Sequence, residues 1–97
     1  MARYNLGFMY ANGQGLKQDY SKARYWFEKA AKQGHAKAQY NLAQLIRQGQ
    51  GAKQDYAKAR YWYEKSAEQG DIDAQFNLGV MYTKGQGVRQ NIQIAKE

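Results

Sequence analysis

The sequence contains no cysteine and no proline, one histidine, and only three hydroxyl side chains outside tyrosine (Ser21, Ser66, Thr83). Without cysteine there is no disulfide staple and no thiolate metal site, and the redox compartment leaves no mark on the chain. A lone His35 cannot supply the three or four ligands a zinc site uses. A serine–histidine–carboxylate arrangement would have to recruit that same residue, which occupies a turn position filled by Asp71 further on. Catalytic and metal centres are therefore not expected, and no cofactor is called for. The paired Asp71 and Asp73 sit at a helix start, where negative charge is favoured in any case. Branched aliphatics are scarce, so a core has to be assembled from Ala, Leu, Tyr and Trp. No apolar run approaches the roughly 20 residues of a membrane span. The first residues, MARYNLGFMYANG, lack the basic-then-apolar layout of a secretory signal. As written the chain is expected to be soluble and cytoplasmic, or periplasmic or secreted if it is cut from a longer precursor.

What is present is repetition. Lys17–Gly34, KQDYSKARYWFEKAAKQG, returns as Lys53–Gly70, KQDYAKARYWYEKSAEQG, with four of eighteen positions changed and an offset of 36. A third copy begins at Arg89. A fixed period of this size marks a solenoid, in which each unit is one supersecondary piece that buries its apolar face on its neighbours. The 97 residues then divide into units at 1–36, 37–72 and a shorter 73–97.

Within a unit two helices are expected. Ala38, Asn41, Leu42, Leu45 and Ile46 fall at i, i+3, i+4, i+7 and i+8, the stripe of an amphipathic helix A. Ala2, Asn5, Leu6, Met9, Tyr10 and Ala74, Asn77, Leu78, Met81, Tyr82 repeat it. The recurrent Asn, polar within that stripe, is expected to bond backbone of a neighbouring turn. Each helix A ends in Gly-Gln-Gly (13–15, 49–51, 85–87), read as a left-handed helix stop and a further reversal rather than a phosphate cradle. Asp19, Asp55 and Asn91 stand at N-cap positions. They open helix B, Tyr20–Gln33 and Tyr56–Gln69, with an inward stripe of Tyr20, Ala23, Trp26, Phe27, Ala30, Ala31 and its copy. Gly34 and Gly70 close helix B, and His35 and Asp71 are placed to cap the next helix A. So short a link forces the two helices antiparallel.

The pattern A-x-A-Q-[YF]-N-L-[GA]…G-Q-G…Q-D-Y-x-K-A-x-Y-W-[FY]-E-K-[AS]-A-x-Q-G resembles the Sel-1-like repeat, a relative of the tetratricopeptide repeat. The resemblance covers essentially the whole chain. It implies an all-α, right-handed α-solenoid of antiparallel helix pairs, working as a non-catalytic adaptor or scaffold that recognises a partner protein or peptide. Family members linked to β-lactam binding depend on paired cysteines that are missing here. Tetratricopeptide repeats proper have a period of 34 and a proline near the unit end, neither of which this chain has.

The formal charge of +7 raises a second reading, a basic module that binds nucleic acid or an anionic surface. Lys22, Arg24, Lys29, Lys32, Lys58, Arg60 and Lys65 are expected on the outer side of helix B, solvated and partly compensated by Glu28 and Glu64. They form no dense run, and the aromatics are spaced as core, so nucleic acid is disfavoured. The partner surface is expected on the concave helix-A face. There Tyr4, Tyr40 and Phe76 stay aromatic, which points to packing between units. The columns Phe8/Gln44/Val80 and Ala11/Arg47/Thr83 vary, as a surface free of scaffold duty would. Open apolar ends of the array are further expected to pair copies of the chain.

Overall fold

A computed structural model of the protein describes residues 2–13, 17–51 and 53–85. The described residues form α1 (Ala2–Asn12), α2 (Tyr20–Lys32), α3 (Ala36–Gln48), α4 (Tyr56–Glu68) and α5 (Ile72–Lys84), with no strand among them. α1, α3 and α5 are the A helices; α2 and α4 are the B helices. Each packs on the next in the chain, giving antiparallel pairs stacked as a right-handed α-solenoid. The third copy of helix B, with its Asn91 cap, and the glycines at 15 and 87 lie outside the described residues.

Helix starts follow the capping chemistry. Asp19 and Asp55 accept from the backbone N–H of Lys22 and Lys58, both at 3.1 Å. Asp71 caps α5 through the N–H of Ala74 at 3.0 Å, and His35 does the same for α3 with Nδ1, 3.2 Å from the N–H of Ala38. Glycine closes the helices. Gly34 and Gly70 follow the B helices with φ of 90°, and the His35 and Asp71 N–H groups reach back to the carbonyls of Ala30 and Ser66. This is the Schellman arrangement, which satisfies carbonyls that would otherwise be orphaned. Gly51 is constrained further: its φ is 83°, and a Cβ there would stand 2.5 Å from the Tyr20 carbonyl oxygen of the preceding unit. No side chain fits between the loop and that helix end.

The core runs along the junction of the A and B helices. Ala38, Leu42, Ala43, Leu45 and Ile46 of α3 are buried as the stripe requires, facing Ala23, Phe27, Ala30 and Ala31 of α2 and Ala59 and Tyr63 of α4. The alanines let the helices approach closely, while Phe27 and Tyr63 fill the space. The tryptophans are a correction to the expected stripe. Trp26 and Trp62 are only partly buried, because residue 27 or 63 points directly at helix A and its predecessor sits 100° around the helix. Each Trp instead meets the preceding tyrosine edge-on, at 5.0 Å for both Tyr25–Trp26 and Tyr61–Trp62. The arginines also depart from expectation: Arg24 and Arg60 lie half-buried beside the helix while the lysines around them are exposed. Arg60 pairs with Glu64 at 3.4 Å and Lys32 with Glu28 at 3.5 Å.

Glutamines missing from the helical stripes close the units. Gln18 and Gln54 donate to the carbonyls of Ala11 and Arg47 near the ends of the A helices, at 2.8 and 2.7 Å. Gln39 and Gln75 donate to Ala31 and Ala67 near the ends of the B helices, at 3.0 and 3.2 Å. These are the Q of the Q-D-Y segment, shared by Gln18, Gln54 and Gln90, and the Q of A-x-A-Q, which is Arg3 in the first unit; their spacing from a helix end is the signal that could have revealed the role.

Candidate functional site

The A helices place the two variable columns and the aromatic column on one side of the stack. The aromatic column does pack between elements. Tyr4 stacks on His35 at 4.5 Å with a 13° interplanar angle, lies 5.7 Å from Phe27, and accepts a hydrogen bond from Asn41 of the next unit at 3.2 Å. Tyr40 lies 5.9 Å from Tyr63 and carries Lys37 over its ring at 5.2 Å. Phe76 differs: it is 70% exposed.

The recurrent asparagines join units rather than bonding backbone alone. Asn41 reaches the Tyr4 hydroxyl. Asn77 donates to the Asp73 carbonyl at 2.8 Å and accepts from Arg47 Nη1 at 2.9 Å. The backbone expectation thus holds for one face of Asn77 and is replaced by a side-chain partner at Asn41.

The variable columns split in two. Gln44 accepts from the Tyr63 hydroxyl, and Arg47 joins the second unit to the third through Asn77, so both carry scaffold contacts. Burial pushes the Tyr63 hydroxyl up to about 12, with the neighbouring Arg47 guanidinium opposing that rise. Phe8, in contrast, is 41% exposed. It borders a groove of about 170 Å³ between α1 and α3, whose other walls include Asn12, Phe27, Asn41 and Gln44. Phe76, Val80 and Thr83 line a second, wider hollow of about 470 Å³ along α5. Thr83 is satisfied locally, its hydroxyl donating to the Gly79 carbonyl at 2.9 Å. The expected residues thus share one side of the array, but among the described residues no hydrogen bond or ring contact is seen from Phe8, Phe76, Val80 or Thr83 to another helix.

His35 has a structural occupation. Nδ1 caps α3, the ring lies against Tyr4, and Nε2 is buried without a hydrogen-bond partner. At the next junction Asp71 takes the capping role and adds an ion pair. Lys37 stands 3.1 Å from Asp71 and 3.2 Å from Asp73, and the hydrogen bond it donates to Asp71 first of all holds its ammonium above the ordinary lysine value. Among the described residues no three His, Asp or Glu side chains converge on a point, and no helix is long and apolar enough to cross a membrane.

The Sel1 repeat pattern matches residues 1–35, 36–71 and 72–97. The chain belongs to the Sel1 repeat family. Two solved structures are similar along nearly all of it. The first is c5321, described as a protective antigen present in uropathogenic Escherichia coli strains displaying an SLR fold: TM-score 0.92, 40% identity, 98% of this chain and 20% of that one. The second is a Sel1 repeat protein from Oxalobacter formigenes: TM-score 0.89, 35% identity, 97% of this chain and 39% of that one. The chain thus spans about a fifth and about two fifths of those proteins. No curated protein matches it. In this Sel1 repeat array the variable helix-A positions divide between joining helices and facing outward, which the repeat pattern alone does not separate.

Proposed function

We propose that this chain is a non-catalytic protein-interaction module, an adaptor or scaffold that binds a partner peptide or helix along its helix-A face. The observation that carries this is the groove between α1 and α3, at whose edge a large apolar side chain, Phe8, stays 41% exposed. A preformed groove on a stiff scaffold binds an extended or helical segment with little ordering cost. Phe8 is the apolar anchor, Asn12 and Asn41 supply rim polarity, and Phe76, Val80 and Thr83 extend the face along α5. Tyr4, Tyr40, Gln44 and Arg47 hold that face in shape. The exposed pair Ile72 and Phe76, one turn apart on α5 at 78% and 70% exposure, supports self-association of copies through that end of the stack.

Selection of a displayed helical-peptide library on the wild-type chain tests the reading. Enriched peptides are expected to lose at least tenfold in affinity for Phe8→Ala and to keep it for Lys29→Glu on the opposite side. Peptides that bind both variants equally, or no enrichment, contradict it. Sedimentation across micromolar concentrations checks self-association, which a monomer throughout would refute.

A further inference from the structure

A third hollow lies away from the helix-A face, where the turn after α2 meets α4. It encloses about 300 Å³ and is bordered by Lys32, Gly34, Gln39, Tyr61, Trp62 and Lys65. Its floor is already satisfied: Gln39 donates to the Ala31 carbonyl at 3.0 Å and accepts from Gln69 at 2.9 Å. Its wall is aromatic, with Tyr61 50% exposed and edge-on to Trp62. Two ammonium groups stand at the rim. Lys65 is held over the Tyr61 ring at 5.5 Å, and Lys32 comes from the preceding unit. Among the described residues lining the hollow there is no carboxylate; Glu28, one turn back, pairs with Lys32 at 3.5 Å.

We infer that this crevice is a binding site for an acidic peptide segment in which a carboxylate side chain adjoins an aromatic or large apolar one. The rim attracts and orients the carboxylate, and the Tyr61–Trp62 wall takes the apolar neighbour. A bare phosphate or a nucleic-acid backbone fits less well. It gains nothing from the aromatic wall, and both cations are lysines, point charges without the forked geometry that grips phosphate. The first unit contains its own control. Tyr25, Trp26 and Lys29 reproduce the trio, with the rings 5.0 Å apart and Lys29 5.3 Å above Tyr25. Lys32 and Gly34 meet the Tyr61, Trp62 and Lys65 trio from the other unit, whereas neither this hollow nor those along the A helices is lined by Tyr25, Trp26 or Lys29. The site is distinct from the helix-A groove and stands whether or not that groove binds.

The two tryptophans report on it separately. The probe is a capped tripeptide with phenylalanine between aspartate and glutamate, titrated into ¹⁵N-labelled protein at low salt. The Trp62 indole N–H resonance is expected to shift saturably, with a dissociation constant of about 1 mM or tighter, while Trp26 stays in place. Lys32→Gln and Lys65→Gln, exposed and compatible with folding, are each expected to weaken binding at least fivefold. Lys29→Gln and Phe8→Ala leave it unchanged. The proposal is overturned by equal movement of both indoles, equal binding of the asparagine–glutamine analogue, the same shift with inorganic phosphate alone, or no shift up to about 10 mM peptide.

Discussion

Positions 8 and 27 in the first unit and 44 and 63 in the second are the same places in the repeat, yet they solve different problems. In the first unit both are phenylalanine: Phe27 is buried and Phe8 borders an open groove. In the second unit helix B carries Tyr63, fully buried, and its hydroxyl needs a partner. Gln44 supplies it, with Arg47 alongside. One change on helix B therefore accounts for substitutions on the facing helix A. Variation between copies of a repeat is thus not by itself a mark of a binding surface. The part left over after such pairing, Phe8 above all, is where the proposed recognition surface lies.

The largest effects should come from emptying either buried ring position. Phe27→Ala and Tyr63→Ala are each expected to cost about 3–5 kcal/mol in chemical denaturation, enough to unfold much of so short an array. Equal small losses would mean that the rings are not the anchors of their units. Next comes the polar pair. Tyr63→Phe and Gln44→Ala should each cost about 1 kcal/mol, and a double-mutant cycle should return a coupling of similar size. Phe8→Ala, at the place matching Gln44, should cost less than about 1 kcal/mol, since much of its ring is already in water. Additive behaviour of Tyr63 and Gln44 would break the contrast between the units.

Alkaline pH sharpens the same contrast. Burial raises the Tyr63 hydroxyl from 10.0 to about 12, and the Asp71 hydrogen bond raises Lys37. A group with a raised folded value contributes stability that is complete below its unfolded value and disappears as pH climbs through the folded one. Stability should therefore be level up to about pH 10 and fall toward pH 12, with a shallower fall for Tyr63→Phe. Urea midpoints across that range check it; an unchanged slope in the variant would refute the role of Tyr63. The smallest difference expected is between the tryptophans. Trp62→Ala should cost about 2 kcal/mol and Trp26→Ala less, because Trp62 shares a hollow with Gly34 and Gln39 at the turn after α2.

The helices, their caps and their glycine stops were legible in the sequence, because each rests on local spacing that one chain repeats for inspection. Asp19, His35, Asp55 and Asp71 cap as their positions imply. The side-chain partners were less legible. A helical stripe marks which side faces inward but not which residue points straight at the neighbour, so Trp62 ranked with Tyr63 although only Tyr63 is fully buried. Asn41, Gln44 and Arg47 find their partners across helix junctions, 37, 19 and 30 residues away. No pattern within one helix registers such contacts. Comparing columns 27/63 and 8/44 together would have exposed the Tyr63–Gln44 pairing.

The most direct test of the division between scaffold and recognition is the affinity of a selected helix-A-face peptide for the Phe8→Ala chain, measured by calorimetry at a temperature where the variant is folded. A loss of at least tenfold, with the denaturation midpoint nearly unchanged, is the result expected. Full affinity in that variant would place recognition elsewhere and contradict the account.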